Sequence, residues 1–82
     1  MTEKARLKWQ CRRGMRELDL LLEEFLENRY EKLSPSARDI FSRLLDCPNE
    51  DLMKWLVEGG SPQDEQLAGI VEQIRERTIP DA

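Results

Sequence analysis

The apolar residues of this chain recur at intervals of three and four positions, which places side chains on one face of an α-helix. The clearest stripe predicts an amphipathic helix over Met15–Tyr30, with apolar positions at Leu18, Leu21, Leu22, Phe25, Leu26 and Tyr30. No stretch alternates apolar and polar residues with a period of two, so no β-sheet is expected. The sequence therefore predicts an all-α fold.

Start and stop signals divide the rest of the chain into four shorter helices. Ser34 and Pro35 supply an N-cap and a first helical position, and Pro48 ends that helix. Asn49 is expected to cap a helix that runs from Glu50 to about Val57. The predicted core positions of the helix that begins at Ser34-Pro35 are Ala37, Ile40, Phe41, Leu44 and Leu45. Those of the next helix are Leu52, Met53, Trp55 and Leu56.

The two ends of the chain carry the remaining helices. Gly59-Gly60 ends the fourth segment, and Ser61 with Asp64 forms a weak capping box for a last helix that reaches about Arg77. Its apolar stripe is Leu67, Ile70, Val71 and Ile74. A short first helix over Glu3–Arg12 buries little, with Leu7 and Cys11 on one face and Trp9 on another. The 82 residues suffice for one domain (1–82), a compact bundle of about five short helices.

Composition excludes several classes of function. The chain has no histidine, which removes the commonest general base and the commonest metal ligand. Two cysteines without histidine cannot supply four zinc ligands, so neither a catalytic nor a metal site is expected. The opening Met1-Thr2-Glu3-Lys4 is not an apolar signal segment, and no run approaches the roughly 20 apolar residues of a membrane helix. We therefore expect a cytoplasmic protein with free thiols, Cys11 packing in the core rather than reacting.

Charge is unevenly distributed along the chain. Residues 1–16 carry six basic side chains and one acidic one, whereas the other 66 residues carry seven basic and sixteen acidic ones. A basic arm on an acidic body indicates two surfaces with different environments, although a solvated face gives the same pattern. Nucleic-acid binding ranks third among the functions considered, because the remaining helices are acidic and the isoelectric point is about 4.8.

Gly14 lies between the arginine cluster and a run of carboxylates, where a helix would avoid glycine at a cost of about 1 kcal/mol. It either ends a helix or lets another molecule approach the backbone closely. Arg and Trp are typical of interface hot spots, and Trp9, Arg12, Arg13 and Arg16 surround this glycine. Glu17 follows Arg13 by four positions and is expected to pair with it, either within a docking face or as an ordinary surface salt bridge.

At these residues the chain resembles a known family. Arg13-Gly14-Met15-Arg16-Glu17 matches the R-G-x-x-E motif of the SdhE (YgfY) family of FAD assembly factors for succinate dehydrogenase. Residues 8–19 resemble the signature block of that family, and residues 51–56 with Gly59-Gly60 resemble its second block. Gln10 departs from the pattern, since relatives commonly have a basic residue there. Length, acidity and the five-helix layout also agree, so the resemblance covers nearly the whole chain.

The resemblance implies a function that composition does not show. Members promote covalent attachment of FAD to a histidine on the flavoprotein subunit of succinate dehydrogenase, and of the related fumarate reductase. It implies a chaperone rather than an enzyme, acting on FAD that the client carries. No phosphate-binding loop is visible in the sequence, so we expect no tightly bound cofactor. The resemblance places partner binding at Arg13, Gly14 and Glu17, and we expect Trp9, Arg12 and Arg16 to flank them. An antitoxin-like or other regulatory protein-binding module is the alternative.

Overall fold

Five α-helices and one short 3-10 turn make up the computed structural model of this chain, which describes residues 2–78, with side chains as far as residue 76. The helices are α1 (Glu3–Gln10), α2 (Arg16–Arg29), α3 (Pro35–Leu45), α4 (Asn49–Leu56) and α5 (Glu65–Thr78), and the 3-10 turn is Tyr30–Lys32. Residues 2–78 contain no strand. The predicted all-α class and five-helix layout are confirmed.

Side-chain caps explain where several helices begin. Thr2 Oγ1 accepts a hydrogen bond from the Ala5 N–H (3.2 Å), and Ser34 Oγ accepts one from the Ala37 N–H (3.1 Å). The predicted start of α3 at Ser34-Pro35 is therefore correct. Each such cap satisfies one of the N–H groups that the first helical turn leaves without a partner.

Two predicted caps are wrong. Asn49 is the first residue of α4, and Pro48 occupies the N-cap position. Ser61 does not begin α5, which starts at Glu65. Asp64 caps α5 instead, because its Oδ1 accepts from the N–H groups of Gln66 (2.8 Å) and Leu67 (3.2 Å). Those bonds stabilise the carboxylate and lower the pKa of Asp64.

The core lies between the helices and takes side chains from all five. Most of the predicted stripe positions are buried, together with Leu7 and Cys11 from the first helix. Phe25 of α2 and Phe41 of α3 meet in a tilted aromatic contact with centroids 5.3 Å apart. Five predicted core residues pack against the edge of this cluster and are only half-buried: Leu21, Ile40, Met53, Trp55 and Leu67. Ala37 is also half-buried.

Contacts along α1 and α2 hold the first helix in place. The Tyr30 hydroxyl donates a hydrogen bond to the Glu3 carboxylate, and Lys8 Nζ lies 3.5 Å from Glu27 Oε1. Leu7 and Cys11 fill the core from the same helix, while Trp9 leaves 68% of its surface exposed. The chain between α1 and α2 is thereby fixed at one end of the bundle, beside the loop that joins α3 to α4.

Candidate docking site at the junction of the first two helices

Gly14 forms the turn between α1 and α2. Its φ is +81°, a conformation that residues with a Cβ rarely adopt, so the backbone strongly favours glycine here. A Cβ built on Gly14 meets no atom within 4 Å. The position is thus open to solvent, and only another molecule would meet a side chain placed there.

The side chain of Asp19, which lies in the first helical turn of α2, binds the backbone of the loop at Gly14. Its Oδ1 accepts a hydrogen bond from the Arg13 N–H (2.8 Å), and its Oδ2 accepts one from the Gly14 N–H (3.3 Å). Met15, at the N-cap position of α2, makes no side-chain cap. The Asp19 carboxylate therefore fixes the backbone that leads into the helix, in addition to its favourable place near the positive helix end.

Arg13 points into the protein rather than towards a partner. Its guanidinium donates four hydrogen bonds, to Gln10 O (3.0 Å), Leu45 O (2.7 Å), Cys47 O (2.6 Å) and Asn49 Oδ1 (2.6 Å). Gln10 and Leu45 are the last residues of α1 and α3, where carbonyls lack helical partners and the helix dipole is negative. One cation thus caps two helix ends and joins the α1–α2 junction to the α3–α4 loop. We call these four bonds the Arg13 clamp.

The role of Asn49 explains why it does not cap α4. Its Oδ1 accepts from Arg13 Nε, and its Nδ2 lies 3.4 Å from Arg13 O as a donor. The side-chain amide therefore binds both the side chain and the main chain of Arg13. Because this contact spans 36 positions, no local pattern in the sequence indicates it.

The expected pair between Arg13 and Glu17 is wrong. The guanidinium donates to three carbonyls and an amide oxygen, and the ion pairs found within the described residues do not include these two side chains. Glu17 lies on the exposed side of α2. The planar guanidinium of arginine carries several N–H donors and can bind several oxygens at once. In this protein those oxygens belong to the chain itself.

The other candidate residues are exposed. Gly14, Arg16 and Glu17 lie at the surface around the turn, and we call them the junction face. Arg12 and Trp9 are exposed on the α1 side, with the Arg12 guanidinium 5.6 Å from the indole centroid. That distance is typical of a cation–π contact, which orients both side chains. The structure brings five of the six candidates to the surface and turns Arg13 inward.

Cys11, next to the arginines, is a packing residue, as predicted. It is fully buried, and burial, followed by the charge of Glu23, raises the pKa of its thiol to about 12. Burial and the charge of Asp51 also raise the pKa of Cys47. Both cysteines are free. Thiols with raised pKa values are poor nucleophiles at neutral pH.

The described residues hold neither a metal-binding cluster nor a membrane-spanning helix. Among the described residues, no cluster of three or more His, Cys, Asp or Glu side chains has a geometry suited to a metal ion. None of the helices there combines the length and apolar character needed to cross a bilayer.

Comparison with known proteins gives one consistent result. A family model described as flavinator of succinate dehydrogenase matches residues 5–78. A protein of Yersinia pseudotuberculosis named FAD assembly factor SdhE is 47% identical over 74 residues, which cover 90% of this chain and 84% of the relative. Proteins of the same name from Photorhabdus laumondii and Shewanella oneidensis are 45% and 42% identical, the latter over 93% of each chain. The similarity includes the whole candidate site.

Proposed function

We propose a function for this chain on one premise: it belongs to the family described as flavinator of succinate dehydrogenase. In this proposal it promotes attachment of FAD to the flavoprotein subunit of succinate dehydrogenase, which agrees with the description of its family and with the name of its relatives, FAD assembly factor SdhE. We further propose that the flavoprotein subunit of fumarate reductase is a client. In this proposal the chain is a cytoplasmic chaperone rather than an enzyme. It binds no flavin tightly and acts on FAD that the client carries.

The observation that carries the proposal is the open backbone at Gly14 on a rigid support. The turn presents its Cα to solvent, while Asp19 and the Arg13 clamp fix it from beneath. A surface that is already ordered loses little conformational entropy when a partner binds. Arg16 and Glu17 offer opposite charges beside the turn, suited to charge-assisted hydrogen bonds with the client. The Trp9 and Arg12 pair supplies a flanking anchor.

Positioning is the mechanism that this geometry supports. The client supplies both the FAD and the histidine that becomes attached to it, so the factor need not supply a general base. We propose that docking of the junction face holds the client in an arrangement where the histidine reaches the flavin. Correct placement of two reacting groups alone accelerates many reactions by several orders of magnitude.

Replacement of Gly14 by asparagine tests this site. Asparagine tolerates positive φ better than other residues with a Cβ, so the turn is retained while a side chain enters the docking space. Gly59→Asn is the matched control, because Gly59 has φ +89° and a Cβ there makes only an ordinary contact, 3.9 Å from Arg75. In-gel flavin fluorescence measures the FAD that is covalently attached to the client subunits. It is compared with the chain absent, intact or mutated.

The expected result is strong client fluorescence with the intact chain and with Gly59→Asn, and a loss of at least tenfold with Gly14→Asn. Equal fluorescence with and without the chain would overturn the proposed function. Normal fluorescence with Gly14→Asn would leave the function in place and remove Gly14 from the docking site. Each client subunit is expressed and run on the gel separately, so the assay reports on succinate dehydrogenase and fumarate reductase in turn.

A further inference from the structure

Two exposed apolar side chains line one groove. Leu20 of α2 and Val57, which directly follows α4, are 60% and 36% exposed. They line an open groove with a volume of about 420 Å³. We call it the α2–α4 groove, and its lining residues are Glu17, Leu20, Leu21, Glu24, Leu56 and Val57. Single exposed leucines are ordinary, but adjacent ones in a concave surface are typical of a binding site.

The rim of this groove is acidic. Glu17 and Glu24 are separated by seven residues on α2, which is two helical turns or about 10 Å. Neither carboxylate takes part in an ion pair or a side-chain hydrogen bond within the described residues. Leu20 and Leu21 lie between them on the same face of the helix. The groove therefore combines an apolar centre with two unneutralised negative charges at its ends.

We propose that the α2–α4 groove receives a segment of the client flavoprotein in which an apolar side chain lies between two cations about 10 Å apart. This inference rests on the proposed function and extends its docking surface. Glu17 belongs to both the junction face and the groove, so the two form one continuous surface. A client bound at Gly14 therefore also contacts the groove. The apolar side chain fills the space beside Leu20 and Val57, and Lys or Arg side chains bind the two carboxylates.

A second copy of the chain fits the groove less well. Symmetric association through this surface places Glu17 and Glu24 of one copy against the same residues of the other. Four carboxylates would then share one interface, and like charges at an interface oppose association. A basic partner removes that repulsion, and its charge complements that of the rim.

Leu20→Gln and Glu24→Lys test the two parts of the proposal. Both positions are exposed on a helix and both replacements are good helix formers, so the fold is expected to persist. Val57→Gln tests the groove from the α4 side. Asp39→Lys on α3 is the matched control, since it makes the same change in net charge at an exposed position away from the groove.

Affinity is measured by titration of the purified flavoprotein subunit of succinate dehydrogenase, and folding by thermal melts monitored by circular dichroism. Leu20→Gln and Val57→Gln are each expected to weaken binding by about five- to tenfold, the effect of losing part of one buried aliphatic side chain. Glu24→Lys is expected to weaken it by about tenfold at low salt, with a smaller difference at high salt. Asp39→Lys should bind like the unchanged chain.

The outcomes separate the two proposals. If the unchanged chain neither binds the client nor supports flavin attachment, the proposed function fails. If the unchanged chain binds and all three groove variants bind equally well, the groove is not a client site, although the function stands. Sedimentation that shows a dimer dissolved by Leu20→Gln, with client affinity unchanged, would assign the groove to self-association and overturn the proposal.

Discussion

Replacement of Arg13 by alanine is expected to destabilise this protein, even though the sequence alone predicts a partner-binding role for this residue. The substitution removes four hydrogen bonds of 2.6–3.0 Å and leaves the carbonyls of Gln10, Leu45 and Cys47 without that donor. It also removes the positive charge beside the negative ends of α1 and α3. The loss therefore affects two helix ends and the contact between two loops.

The expected magnitude follows from the half-buried position of these bonds. A hydrogen bond to a charged group contributes about 1.5–3 kcal/mol when buried, and water compensates part of that loss here. Taken together, the Arg13 clamp is expected to contribute roughly 2–4 kcal/mol to the free energy of unfolding. A domain of this size has about 4–12 kcal/mol in total, so the clamp supplies a large share of the free energy of unfolding. The melting temperature of the variant should fall by roughly 10–25 °C.

The series Arg13→Lys, Arg13→Ala and Arg12→Ala distinguishes a clamp from an exposed contact. Lysine keeps the charge but concentrates its donors at one atom, so we expect a melting temperature between those of the intact chain and the alanine variant. Arg12 is exposed and serves as the control, with an expected change below about 0.5 kcal/mol. Equal melting temperatures for Arg13→Ala and Arg12→Ala would refute the clamp.

Two further expectations concern Cys11 and Trp9. Because burial raises the Cys11 pKa from 9.0 to about 12, the unfolded chain loses this proton first. Ionisation of Cys11 should therefore lower the free energy of unfolding by about 1.4 kcal/mol per pH unit between pH 9 and about 12, as measured by urea denaturation, and Cys11→Ala should remove that contribution from the slope. A slope unchanged by Cys11→Ala would contradict this assignment. Trp9→Ala should leave the melting temperature unchanged and weaken client binding about tenfold, since the indole is 68% exposed. Trp9→Ala binding as tightly as the intact chain would exclude Trp9 from the interface.

The fold could largely be predicted from local patterns. The apolar stripe through Leu18, Leu22 and Leu26 predicts α2 and the face that it turns to the core, because side chains repeated at the helical period can all be buried only on one face. The start of α3 at Ser34 follows from chemistry within four residues. The roles that the sequence predicts for Asn49 and Asp64 are wrong, because each side chain can bind several backbone or side-chain partners and only the tertiary structure selects one.

The candidate site could be located from the sequence, but the roles of its residues could not be separated. Gly14 between opposite charges marks the junction, and its positive φ agrees with the expected turn. The spacing of Arg13 and Glu17 suggests a pair on one helix face, yet the two lie on either side of that turn. The clamp joins Arg13 to residues 32–36 positions away, a separation that local spacing does not encode.

The residues at the junction therefore fall into two groups, those that bind the protein's own backbone and those that face solvent. Variants of the two groups should be interpreted differently. Arg13 and Asp19 bind the protein's own backbone, whereas Gly14, Arg16 and Glu17 face solvent. Loss of flavin attachment on changing Arg13 is then no evidence for contact with the client, because a loosened turn misplaces Gly14. The two causes differ in temperature dependence. A defect in the clamp diminishes on cooling as the folded population is restored, while a missing contact at Glu17 persists at every temperature at which the chain is folded.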